Sequence, residues 1–300
     1  MVTTSSNLYT FLSLLHLFTL SPLLLLLPTT ASSETITNLI YKGCAEQKVP
    51  DPSGIYSQNL KSLLSSLLSQ SSQKSFAATT SGDGAGGTAI AGAYQCRGDL
   101  TNSDCYACVS KIPDMVGSLC GGDVAAARVQ LSGCYLRYQV VGFKQVPQTQ
   151  LLYKVCGSKK VRDGADFESK RDSAFGMVEN GVKSSGNNLF YTGSFQSLYV
   201  LGQCEGDLEN DDCGACVKSA EDLAKAQCGD SISAQVYLQG CFISYSFYPN
   251  GVPTVTSSSG GHQHTNRTVA LAVGGFAVLG FLIVCLLFLK SALKKKGGKH

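Results

Sequence analysis

Two Cys-x-x-Cys pairs, Cys105/Cys108 and Cys213/Cys216, are the side chains in this chain best placed to do chemistry. On a helix, positions i and i+3 face the same way, about 5–6 Å apart between Cβ atoms. That spacing suits a thioredoxin-like dithiol or half of a zinc site. It equally suits two structural disulfides anchored on one helix face. Context favours the disulfides. His16 lies in the N-terminal apolar segment, and His262, His264 and His300 lie near the C-terminus, so no histidine falls among residues 36–249. A hydrolase needs a base beside its nucleophile, and this region offers no imidazole. The carboxylate groups Asp99/Asp104 and Asp207/Asp211/Asp212 stand beside turns and helix starts, where aspartate is usual as a cap. The run from Ser81 to Gly87 precedes no helix opening on Lys-Ser/Thr, and reads as a plain loop rather than a phosphate cradle. A non-enzymatic protein, with no cofactor and no metal, is expected.

The cysteines belong to a repeat. Gln95 to Val109 reads QCRGDLTNSDCYACV and Gln203 to Val217 reads QCEGDLENDDCGACV, with 11 of 15 positions identical. The frame continues in step: Cys96, Cys105, Cys108, Cys120 and Cys134 match Cys204, Cys213, Cys216, Cys228 and Cys241, with one residue's difference in the last gap. Cys44 and Cys156 precede the two sets, giving six cysteines each. A repeat of this length is one folding unit used twice. Spacing alone leaves fifteen pairings open in each unit.

The flanks place these units outside the cell. Leu8 to Leu27 is largely apolar, and small residues around Ala31 offer a cleavage site, so residues 1–31 read as a signal peptide. Pro22 and Pro28 would interrupt a spanning helix there. Val269 to Leu289 is uncharged over 21 residues, enough to cross a bilayer. The following residues 290–300 hold five Lys and no acid, which places this tail in the cytoplasm. The result is a type I membrane protein. An even set of cysteines in that oxidising compartment is read as structural. Of the 24 Lys+Arg, five lie in the tail, leaving 19 against 21 Asp+Glu. The second unit is acidic, which argues against a nucleic-acid partner. Asn266, in the only glycosylation sequon, lies against the membrane and is expected to stay unmodified. Cys285, inside the span, is expected to be a packing residue.

The elements that must position the cysteines can be read coarsely. Leu60, Leu63, Leu64, Leu67 and Leu68 recur at helical spacing; Phe167, Ala174, Phe175 and Val178 do so less regularly. Ser103, and Asp211 or Asp212, are candidate N-caps for the helix carrying Cys-x-x-Cys. Val129–Leu131 and Tyr135–Val141 alternate as strands, as do Val236–Leu238 and Phe242–Tyr248. Phe195, Tyr199, Tyr245 and Phe247 read either as a partner face or as strand packing. These features make an α+β chain: a first domain over 36–147, a short linker around Pro147, a second domain over 150–249, a Ser/Gly/Thr-rich stalk over 250–268, the span over 269–289 and the tail over 290–300.

The C-x8-C-x2-C frame, with the upstream cysteine and the steps Gly133-Cys134-Tyr135 and Gly240-Cys241-Phe242, resembles the plant ginkbilobin-type domain, also called the stress-antifungal or cysteine-rich-repeat secretory domain. Two such domains, one span and a basic tail without a kinase are similar in architecture to the plasmodesmata-located proteins. The resemblance implies a five-stranded antiparallel sheet with two helices in each domain. It also implies the pairs Cys44–Cys120, Cys96–Cys105 and Cys108–Cys134, then Cys156–Cys228, Cys204–Cys213 and Cys216–Cys241. It implies a role at plasmodesmata in cell-to-cell movement and callose deposition, with protein partners that include viral movement proteins, homo- or hetero-oligomers, and targeting through the span. An antifungal relative binds mannose through an Asn, an Arg and a Glu. The matching positions here are Ala45, Arg128 and Gln139, then Gly157, Gln235 and Ser246. Arg128 is thus the one ligand-binding candidate carried over, and the mannose site as such is not. Two other readings compete with the plasmodesmal one: an apoplastic lectin-like sensor or antifungal protein, and an extracellular thiol oxidoreductase. In the isolated native protein, the twelve cysteines from Cys44 to Cys241 should resist alkylation until reductant is added. Mass mapping that finds a free Cys105/Cys108 or Cys213/Cys216 pair would restore the dithiol reading.

Overall fold

The computed structural model describes residues 36–83, 89–162 and 164–249. The expected signal peptide, stalk, span and tail lie outside those residues, and among the described residues no helix is long and apolar enough to cross a membrane. Two five-stranded antiparallel sheets carry the chain. The first is ordered β1-β4-β5-β3-β2, from β1 (Leu39–Cys44), β2 (Phe76–Ser81), β3 (Ile90–Cys96), β4 (Ala126–Leu131) and β5 (Cys134–Val140). The second repeats that order as β6-β9-β10-β8-β7, from β6 (Leu151–Cys156), β7 (Phe190–Phe195), β8 (Leu198–Cys204), β9 (Ser233–Leu238) and β10 (Cys241–Phe247).

Helices cover one face of each sheet. In the first domain α1 (Ile55–Gln70) buries Tyr56, Leu60, Leu63 and Leu67, one apolar stripe at helical period. The Asp51 carboxylate accepts from the Tyr56 and Ser57 amides at 3.0 and 2.9 Å and so caps the first turn. Gly92 of β3 lets that stripe lie close, because a Cβ there would stand 2.9 Å from the Leu63 side chain. In the second domain α4 (Gly164–Ser184) buries Phe167, Ala174, Phe175, Val178 and Val182. Tyr245 and Phe247 join that core at 2% and 9% exposure, so their reading as a partner face gives way to strand packing. Phe167 lies 5.4 Å from Phe247 between ring centres. Tyr199 stays exposed.

The helix carrying Cys-x-x-Cys differs between the copies. In the second domain α5 runs unbroken over Asn210–Cys228. In the first domain it is two pieces, α2 (Asn102–Val109) and α3 (Ile112–Cys120), so that domain has three helices rather than two. Pro113 is the physical reason: it has no N–H to give the Val109 carbonyl four residues back. The caps also fall elsewhere than Ser103, Asp211 and Asp212. Thr101 is the N-cap of α2; its Oγ1 accepts from the Asp104 amide at 3.2 Å and donates to the Asp104 carboxylate at 2.7 Å. Glu209 is the N-cap of α5, and Asp211 and Asp212 fill its first turn, where the helix dipole favours acid.

Every disulfide joins a helix to a strand end. Cys105 of α2 bonds Cys96 of β3, Cys108 of α2 bonds Cys134 of β5, and Cys120 of α3 bonds Cys44 of β1. The second copy repeats this with Cys213–Cys204, Cys216–Cys241 and Cys228–Cys156 on α5. The two sulfurs of each Cys-x-x-Cys therefore hold different strands.

One buried acid strains this packing. Glu221 of α5 is 2% exposed, and its Oε1 makes no hydrogen bond. Its neighbours are already engaged: Lys218 with Asp222, Lys225 with Asp172 of α4, and Lys183 with Glu179 of α4. Desolvation, opposed by Lys218 and reinforced by Glu179, raises its pKa from the ordinary 4.5 to about 8. The unfolded chain releases this proton above pH 4.5 while the fold retains it to about 8. Stability is therefore full below the lower value, declines through that window, and levels above it. Thermal melts between pH 5 and 8 should show a decline on the order of a few kcal/mol that Glu221→Gln abolishes. Parallel curves for the two proteins would show that Glu221 does not carry it.

Candidate functional site

Helices cover only one face of each sheet, and side chains from the other two faces meet. Along β5, Leu136 and Tyr138 point to the helices while Tyr135 and Arg137 point away; β4 likewise sends Arg128 and Gln130 away. Across the seam stand Tyr153, Gln203, Tyr237 and Phe242 of the second domain. The repeated Gln-Cys step supplies its centre. Gln95 Oε1 accepts from the Gly206 amide at 2.9 Å, and Gln203 Oε1 accepts from the Gly98 amide at 3.3 Å. Gln203 Nε2 also donates to the Cys96 carbonyl at 3.0 Å. Gly98 lies against the Phe190 ring and Gly206 against the Phe76 ring, each so close that a Cβ would fall 2.5 and 2.7 Å from it. The two domains thus exchange equivalent contacts about a local two-fold.

Two features break that symmetry. Arg97 and Glu205 occupy matched positions of the repeat. Arg97 pairs with Asp99 inside its own domain at 2.6 Å, whereas Glu205 reaches across to Arg137. Arg137 Nε and Nη2 both donate to Glu205 Oε1, at 2.9 and 2.6 Å. The Glu205 side chain is 1% exposed and that of Arg137 22%, so the pair is largely dry. The Tyr135 hydroxyl faces the same carboxylate; burial first, then the Glu205 charge, pushes it well above the ordinary phenol range. An aromatic cluster forms the other feature. Tyr41 stacks on Tyr153 at 5.1 Å and tilts against Tyr237 at 5.5 Å, while Tyr237 stacks on Phe242 at 5.2 Å.

Arg128 lies within the seam. Its guanidinium sits 3.9 Å from the centre of the Tyr135 ring, and its Nη1 donates to the Gln239 carbonyl of the second domain at 3.2 Å. Beside it opens a cleft of about 290 Å³, lined in part by Tyr41, Lys42, Ala45, Gln139 and Lys144. Ala45, Arg128 and Gln139, far apart in sequence, are brought to that one cleft. Gly157, the second-domain match of Ala45, donates its amide to the Ser233 carbonyl at 2.7 Å, as Ala45 does to Ala126 at 2.9 Å. Neither Arg137 nor Glu205 stands out in the sequence. The available signal is the mismatch at position 97/205 within an otherwise matched run, a charge reversal flanked by identical residues.

Removing one member of a dry pair strands the other. Glu205→Ala should cost about 3–5 kcal/mol in chemical unfolding, and Arg137→Ala in that background should add little. Additive losses in this cycle would mean the two side chains are not coupled.

The family model for salt stress response/antifungal domains matches residues 43–140 and 155–248. Plasmodesmata-located protein 1 of Arabidopsis thaliana is 55% identical over 276 residues, covering 88% of this chain and 90% of that protein. Plasmodesmata-located protein 2 of the same plant is 49% identical over 277 residues, covering 87% and 88%. The crystal structure of the tandem DUF26 ectodomain of the Arabidopsis thaliana cysteine-rich receptor-like protein PDLP8 superimposes with a TM-score of 0.64 at 33% identity, covering 70% of this chain and 98% of that one. The chain belongs to the plasmodesmata-located protein family, with two salt stress response/antifungal domains in tandem.

Proposed function

We propose that this chain is a non-enzymatic, type I membrane receptor-like or scaffold protein at plasmodesmata that modulates cell-to-cell trafficking. Its domains face the wall, and it acts through callose deposition and through protein partners, viral movement proteins among them. The observation that carries this reading is the 55% identity to plasmodesmata-located protein 1 over 88% of the chain. The apolar stretch Val269–Leu289 and the Lys-rich tail support a single-span anchor. The disulfides support a binding rather than a redox role, because each Cys-x-x-Cys holds two strands and offers no dithiol.

A second reading, a lectin-like sensor of wall or microbial glycans, draws on the cleft beside Arg128. There Arg128 would serve as ligand donor. Its guanidinium is already held by Tyr135 and Gln239, and Ala45 and Gln139 replace the family's Asn and Glu. The scaffold reading therefore stands ahead.

A fluorescent protein fused to the tail, expressed in leaf epidermis, should give paired wall puncta that coincide with callose stain. Exchanging Val269–Leu289 for an unrelated apolar span should spread the signal evenly around the cell. Puncta that survive the exchange would move the address into the ectodomain.

A further inference from the structure

The cleft beside Arg128 carries an unbalanced charge. Lys42, Arg128, Arg137 and Lys144 line it, and no Asp or Glu does. Arg137 is answered by Glu205 from the neighbouring seam. Among the described residues the other three cations make no ion pair, and Lys144, exposed in the loop between β5 and β6, makes no hydrogen bond either. The imbalance belongs to the first domain. The positions matching Arg128, Arg137 and Lys144 are Gln235, Ser244 and Gly251, and of the four only Lys42 is matched by a cation, Lys154. Two buried donors point to the same need. The Tyr41 hydroxyl and Arg128 Nε belong to residues lining the cleft, Tyr41 is 9% exposed, and neither atom makes a hydrogen bond. Buried donors are nearly always paired, and what both of these lack is an acceptor. A concave surface of one sign, short of acceptors, is complementary to an anion.

The rest of the lining narrows the anion. About 290 Å³ stands at the small end of ligand sites, which run to roughly 300–1,000 Å³. It suits one ring and its substituents better than a folded segment. Gln139, Gln145 and Gln239 bring side-chain amides, which both donate to and accept from hydroxyl groups. Phe143, half-buried at the cleft, brings a ring against which an apolar C–H face can lie. Hydroxyls, an apolar face and a carboxylate on one ring describe a uronic acid. From this we infer that the cleft binds a uronate unit of an acidic polysaccharide. Lys144 and Lys42 take the carboxylate, and the glutamines take the hydroxyls. Lys42 already donates to the Leu119 carbonyl at 2.5 Å, which steadies its ammonium and leaves two N–H groups for a ligand. Arg128 keeps its Nη1 on the Gln239 carbonyl and contributes its charge. A neutral hexose offers these cations nothing, so the site differs in kind from the mannose site whose Asn and Glu are absent here. That such a polymer meets the cleft rests on the wall-facing topology proposed above; the affinity itself does not.

The test titrates the full chain, in detergent micelles, with a short oligomer of galacturonate. Binding should saturate, and the same oligomer with its carboxylates methyl-esterified should bind at least tenfold more weakly. Lys144→Glu should lower the affinity roughly tenfold or more. Lys144 is exposed and free of hydrogen bonds, so this variant should melt like the wild type, and Lys144→Arg should retain binding. Lys61→Glu, an equal change of charge on exposed α1, should leave the affinity unchanged. A glutamate peptide of equal charge should displace the oligomer at least tenfold less well. No saturable binding, equal binding of the ester, equal displacement by the peptide, or equal loss with Lys61→Glu would each overturn the inference. Localisation reads out separately. Wall puncta from a chain that binds no uronate sink the cleft alone, and an even cell outline with saturable uronate binding sinks the plasmodesmal reading alone.

Discussion

A five-stranded sheet with helices on one face leaves the other face bare, and everything else in this pair of domains follows from how that second face is hidden. A domain of about 100 residues has little core to spare, and the disulfides can only hold helices to the face they already cover. The chain solves the problem by repetition: it supplies a second sheet with the same deficit and sets the two bare faces toward one another. The seam this creates is polar at its centre and aromatic to one side, with Gln95 and Gln203 reaching backbone amides across it. A side-chain amide suits such a place. It satisfies the backbone groups of a neighbouring turn without bringing a charge into a dry layer.

Once the faces are shared, the repeats stop being equivalent and begin to diverge. The clearest divergence is at the 97/205 position. A symmetrical pair of acids or of bases there would bury like charges near the seam. One arginine paired at home and one glutamate paired abroad gives, among the described residues, one cross-domain ion pair, with Arg137. Its second-domain equivalent, Ser244, offers no cation, so the bridge exists in one sense only and fixes which domain plays which part. Pro113 is a divergence of another kind. It splits the helix of the first domain, while the second keeps a continuous helix that packs along α4 and carries Glu221.

Much of this architecture is legible in the amino-acid sequence. The cysteine frame marks the repeat, and leucine periodicity places α1. Alternation finds parts of β4, β5, β9 and β10 to within a few residues. These are short-range signals, set by geometry within a turn or along a strand. The seam is illegible there because it depends on which side chains of a strand face away from helices and on what then stands opposite. Tyr245 and Phe247 illustrate the limit: alternation puts them on one face of β10, and only the position of α4 makes that face the inner one. The caps escape for a related reason. Thr101 and Glu209 precede acid-rich first turns, and any of several neighbouring polar residues could start the helix equally well by type.

The seam also decides what this fold can offer to others. The bare faces are largely engaged with each other and the opposite faces are under helices, which leaves the rims of the sheets and the clefts where the two sheets diverge. At one such cleft, Ala45, Arg128 and Gln139 converge. Yet the arginine among them has been drawn into the seam, held by a ring of its own domain and a carbonyl of the other. A guanidinium committed in this way supports domain pairing first, and any ligand there must compete with that. The pairing of the two domains thus makes Arg128 part of an internal joint.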